Sequence, residues 1–157
     1  MSPFYPWFLF LHIAAALWLA AGVFASAVVN VQGKRSTVAA ERIMAARLLW
    51  RLHVIYTLPG LIVAGFLGFY LVAAGGFRFG ETWVLAAAAL YLLMFLSTLF
   101  VVTPGLARQR SAASRQAVTT SEGATAAPVA FEKVPGIFTH VNALVVLLLV
   151  CLMAVKP

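Results

Sequence analysis

Four stretches of the chain, at about residues 4–29, 52–74, 83–103 and 137–155, stay apolar for roughly the ~20 residues a helix needs to cross a ~30 Å hydrocarbon core. In that medium no water is available to the backbone, so a spanning segment must be a helix or a strand of a closed barrel. Barrel strands are short, ~10 residues, and alternate in polarity; these runs are long and continuously apolar. The expected fold is therefore all-α, an integral membrane four-helix bundle forming a single transmembrane domain over residues 1–157. Composition agrees. Charged residues make up 10% of the chain, against roughly 25% in soluble domains. The first run, aromatic from residue 4 and without a basic segment before it, reads as a retained span and not a removable signal.

The distribution of charge sets an expected orientation. Lys34, Arg35, Arg42, Arg47 and Arg51 lie in the loop at about 30–51, and Arg108, Arg110, Arg115 and Lys133 in the loop at about 104–136. Basic loops face the cytoplasm, which places both termini and the short loop at 75–82 outside: N-out and C-out, in a bacterial cytoplasmic (inner) membrane. The first loop contains helix formers and no Pro after residue 36, so the second helix is expected to begin near Thr37. Pro59 should kink that helix, and Thr103-Pro104-Gly105 should end or bend the third. Gly123, Pro128 and Pro135 break up the last loop, which reads as part helix and part flexible linker.

Several function classes drop out. The net charge of +7 is confined to loops between spans and serves topology, so no nucleic-acid partner is expected. Cys151 has no second cysteine with which to form a disulfide or a thiolate metal site, and no CxxCH motif occurs. The chain has no Asp and its glutamates lie in or beside loops, which excludes paired-carboxylate chemistry inside the membrane. There is no phosphate-cradling glycine loop, no GxSxG motif and no intramembrane acid suited to proton-coupled transport.

Histidine remains. Ionisable groups in a span are costly and tend to mark function, so His12, His53 and His140 are the candidate cofactor-binding residues. His53 and His140 both stand near the basic ends of their spans, at depths agreeing to within about one helical turn. Two level imidazoles on two helices can bracket one haem iron, so this pair is the candidate metal-ligand set. Tyr56, Thr57, Gly60, Ala64 and Gly68 share the His53 face and leave volume for a planar ligand, although Gly60, Ala64 and Gly68 also form a ladder suited to close helix packing. Either histidine could instead snorkel to water. His12 lies deeper, ~12 Å of helix from its interface, beside Ala15 and Ala16. It is open to ligation or to a hydrogen bond across helices with Tyr91, Ser97 or Thr98. About 15 Å along the membrane normal separates it from the other two, so one site can use at most two of the three.

The segments LHIAAALWLAAGVFASA, YTLPGLIVAGFLGFYLV, FLSTLFVVTPGLARQ and the closing LMAVKP resemble a bacterial family of predicted integral membrane proteins, domain of unknown function number twenty-two sixty-nine. A more distant likeness, carried by Leu11-His12-Ile13 and the Trp and Ala-Gly that follow, is to membrane proteins of the HemJ and CopD type. That resemblance implies a haem-ligand role for His12 and a link to protoporphyrinogen oxidation; His53 stands where the larger family is expected to carry a different polar residue. The sequence thus leads to two expectations. One is a b-type haem protein of the lipid bilayer, active in electron transfer or in oxidation of a hydrophobic substrate. The other is a non-catalytic anchor or accessory subunit whose small-residue faces meet partner membrane subunits or a second copy. A transporter is the weakest reading, since Pro59 alone hints at a broken-helix path.

Overall fold

A computed structural model describes residues 3–121 and 129–155. Among them the chain forms four helices long and apolar enough to cross a membrane: α1 Tyr5–Arg35, α2 Ala39–Ala74, α3 Thr82–Thr119 and α4 Lys133–Val155. The helices outrun the apolar runs at their basic ends. α2 starts at Ala39, well before residue 52, and α3 continues far past residue 103, so the two ends pack together beyond the hydrocarbon segment. Helix-forming sequence rich in Ala, Arg and Glu permits this extension. Of the expected loop breakers, Gly123 and Pro128 lie outside the described residues.

α1 packs against α2 along most of its length and against α4. α3 closes the bundle by packing on α4 and, at the basic end, on α2. The apolar core of the spans is Leu19, Val23, Leu61, Met94, Val145 and Val146. At the basic end Leu49, Val102 and Leu106 continue it, followed by Ala46, Ala113 and Val129. Large apolar side chains such as Phe66, 74% exposed, and Phe100, 72% exposed, point outward, where lipid and not water is the expected contact.

The structure shows how the helices accommodate their internal prolines. Thr103-Pro104-Gly105 does not end α3. Instead one π-helical turn precedes each internal proline, His53–Thr57 in α2 and Thr98–Val102 in α3. The Leu58 N–H reaches back to the His53 carbonyl, and the Thr103 N–H to the Thr98 carbonyl. A proline inside a helix removes a donor and crowds the turn before it; a wider turn just upstream absorbs both effects. Pro59 has no hydrogen to give the Ile55 carbonyl, and the Trp18 indole Nε1 donates to that oxygen at 3.0 Å. The glycine after each proline is where a neighbour comes close. A Cβ on Gly60 would lie 2.8 Å from the Leu19 Cα, and one on Gly105 would collide with the Pro135 ring.

The described residues leading into α4 are built in, while the rest of the stretch expected as a linker, residues 122–128, lies outside the described residues. Val129 is buried; its N–H donates to Gln116 Oε1 at 3.0 Å, and its carbonyl accepts from Arg42 Nη2 at 2.7 Å. Phe131 lies against Gly33, under the Arg42 guanidinium. Arg108 and Glu132 form a two-pronged ion pair, both contacts at 2.8 Å, which holds the Glu132 carboxyl below the usual carboxylate range. At the other end Glu81 accepts from the Arg78 N–H and the Trp83 indole, and those bonds hold its carboxyl low as well.

Candidate functional site

The three histidines occupy three different environments. His12 is buried on the α1 face toward α2, its Nδ1 3.0 Å from the Ala64 carbonyl oxygen. A carbonyl only accepts, so Nδ1 carries the proton and the neutral ring keeps its lone pair on Nε2. The ring rests on Gly68, where an added Cβ would stand 3.1 Å from His12 Cε1. The Gly60-Ala64-Gly68 ladder therefore serves two purposes: Gly60 admits the α1 backbone and Gly68 admits an imidazole. The partners expected for a cross-helix bond, Tyr91, Ser97 and Thr98, are engaged elsewhere. The Tyr91 hydroxyl donates to the Leu61 carbonyl at 2.9 Å and occupies the space beside Gly65.

His53, 1% exposed, sits at the start of the π-turn. Its Nε2 is 2.8 Å from Thr103 Oγ1, and that hydroxyl is 2.7 Å from the Thr98 carbonyl. The one hydroxyl proton goes to the carbonyl, so Thr103 accepts from His53, and Nε2 is protonated. This is the opposite tautomer from His12. The contact extends into a network across α2, α3 and α4: Asn142 Nδ2 donates to Thr98 Oγ1 at 3.1 Å, while Asn142 Oδ1 accepts from Ser97 Oγ at 2.8 Å. The Ser97 hydroxyl also reaches the Met94 carbonyl at 3.0 Å, so one proton is shared between two acceptors. The π-turn of α3 is what faces Thr98 and Thr103 into this cluster, because the extra residue rotates the register of the helix beyond it.

His140 is exposed, while Thr139 and Asn142 on the same stretch of α4 are buried. Similar depth therefore does not make His53 and His140 a facing pair: one ring turns into the bundle toward Thr103 and the other turns out. Among the described residues no group of three or more His, Cys, Asp or Glu side chains converges. Sequence reasoning passed over Asn142 and Asn30, each with a buried amide, and the Thr103 hydroxyl. The available signal was that an amide in an apolar span needs a partner.

Among the described residues, besides Arg42 Nε and Gln109 Oε1, two polar groups lie in the bundle without any hydrogen-bond partner, Ser26 Oγ and Asn30 Nδ2 of α1. Both residues are at least nine-tenths buried, 5% and 3% exposed.

Among known protein families, the model of one described as predicted integral membrane protein (DUF2269) matches residues 7–157. Neither a curated protein nor a solved structure matches the chain.

Proposed function

The chain belongs to this family of predicted integral membrane proteins, and from that premise we propose that it binds b-type haem through His12, serving electron transfer or the oxidation of a hydrophobic substrate. The observation that carries the reading is the His12 Nδ1 bond to the Ala64 carbonyl. Histidines that ligate metals donate their other ring N–H to a carbonyl or carboxylate, which fixes the tautomer and the ring plane. His12 has that arrangement, with Nε2 left as the donor atom and Ala15, Ala16 and Gly68 as its small neighbours. His12, through Nε2, is the residue that would hold the iron as a single imidazole ligand. Haem, when bound, supplies a one-electron couple, whose potential the axial ligand and the dry surroundings tune. The chain's own part is to orient the imidazole through Ala64 and to keep water away from it. His53 and His140 are left out of the ligand set, the first because Thr103 takes its Nε2 and the second because it faces outward.

The protein then sits in a bacterial cytoplasmic membrane with its basic helix ends toward the cytoplasm. Support for this comes from the clustering of nine of the eleven basic residues in two loops. A second reading, a non-catalytic anchor or accessory subunit, has its own support in the His53 network. A histidine held between threonine, serine and asparagine side chains is sufficiently explained as a fastening between helices.

An absorption spectrum of detergent-purified protein from haem-replete cells, oxidised and then dithionite-reduced, decides between the two. We expect a Soret band and reduced α band, lost in His12→Ala and kept in His53→Ala and His140→Ala, with all variants retaining wild-type helix content. A colourless wild-type preparation overturns the haem reading and leaves the anchor.

A further inference from the structure

The Ser26 and Asn30 side chains are spaced one helical turn apart on a single face of α1, between two glycines of that same face, Gly22 and Gly33. At both glycines the helix is in tight contact. A Cβ on Gly22 would lie 2.9 Å from the Thr57 nitrogen, and one on Gly33 would collide with the Phe131 ring. α1 is thus clamped above and below, and the two polar residues occupy the layer between. Ser26 is one turn along from Gly22, and His53 is one turn back from Thr57, so the antiparallel run sets Ser26 in the layer of His53. Asn30 points to the first turn of α4, its Nδ2 2.9 Å from where a Gly136 Cβ would be.

The orphaned state of Ser26 is informative because a simpler arrangement is available to it. A serine in a helix can give its proton to the carbonyl four residues earlier, and in this chain Ser111, Ser114, Thr119 and Thr139 all do so. Ser26 Oγ forgoes the Gly22 carbonyl and meets no protein atom it can bond. One turn away Asn30 Nδ2, which carries two protons, also meets none. Leaving either group dry costs on the order of 1–3 kcal/mol, and two adjacent orphans on one face double the penalty. Buried polar groups lacking protein partners are characteristically satisfied by internal water, which makes two to four hydrogen bonds of its own. Side chains at this spacing, with Cβ atoms ~5–6 Å apart, are within reach of one bridging molecule.

The geometry points to an internal water site at the junction of α1, α2 and α4, in which bound water bridges Ser26 Oγ and Asn30 Nδ2 beneath the Phe131 ring. The ligand is small. Lys34, an exposed residue, also brings its Nζ up to Gly136 beside Asn30 Nδ2, and Gly22 and Gly33 close the site on both sides. Phe131 and the buried Val129 hold the cover in place at the basic end. The site is independent of the haem reading and lies on the opposite side of the α1–α2 glycine contact from His12.

Water-edited solid-state NMR on the labelled full-length protein in phosphatidylcholine bilayers tests this directly, with bulk and bound water as the magnetisation source. We expect the Ser26 Cβ and Asn30 Nδ2 signals to build up several-fold faster than Leu61, which is 0% exposed and serves as the dry reference. In Asn30→Leu the Ser26 build-up should fall toward the Leu61 rate, since the bridge has lost one support. Build-up at both wild-type side chains no faster than at Leu61 overturns the site. Unchanged fast build-up at Ser26 in Asn30→Leu overturns the bridge.

Discussion

Replacing Thr103 by Val removes one hydroxyl and little volume, and the structure specifies what is lost. The hydroxyl accepts from His53 Nε2 at 2.8 Å and donates to the Thr98 carbonyl at 2.7 Å. Hydrogen bonds between membrane helices contribute ~0.6 kcal/mol on average and up to ~1.7. Stranding the imidazole N–H costs more: His53 is 1% exposed, and an unsatisfied buried donor costs ~1–3 kcal/mol. Thr103→Val should therefore destabilise the bundle by about 1–3 kcal/mol, measured as reversible unfolding in mixed detergent micelles. Removing both partners removes the stranded group. His53→Phe with Thr103→Val should accordingly be less destabilised than the sum of the single variants, by about 1 kcal/mol or more. In ¹⁵N spectra the wild-type ring should show the Nε2–H tautomer, and Thr103→Val should shift it toward Nδ1–H. Additivity of the two substitutions within about 0.3 kcal/mol, together with an unchanged tautomer, would refute the hydrogen-bond account of this cluster.

Gly60→Ala places a methyl against the Leu19 backbone, which cannot swing aside as a side-chain tip could, so a loss of about 1–3 kcal/mol is expected; Gly80→Ala, with open space around it, should stay within about 0.5 kcal/mol in the same assay. Trp18→Phe removes the indole donor from the Ile55 carbonyl, which Pro59 cannot replace, and should destabilise by about 1 kcal/mol, while Trp7→Phe, an exposed ring near the helix end, should not. Glu132 is held below the usual carboxylate range by Arg108. The pair's stabilisation is thus present above the ordinary carboxylate pKa and is lost as pH falls through the lowered value. The difference in thermal stability between wild type and Glu132→Gln should accordingly vanish in acid and shrink with added salt; a difference that persists below that range would contradict the ion pair.

The number of spans and their helical character follow from the sequence because hydrocarbon imposes them: about twenty apolar residues in a row, with every backbone group satisfied internally, leaves no other regular structure. The prolines were legible as perturbations, but their consequence was not. Whether Pro104 stops a helix or is absorbed by a π-turn depends on what the turn gains, and here it gains the inward facing of Thr98 and Thr103 toward His53 and Asn142. The rotation of each helix about its axis was decided by tertiary structure alone. In water an amphipathic stripe would have marked the inner face, but a helix in lipid is apolar on every side, so His53 and His140 looked equivalent in depth and chemistry. Packing of small residues, Gly22 on Thr57, Gly60 on Leu19 and Gly105 on Pro135, set the rotations. Those contacts turned one imidazole into the bundle and the other out of it.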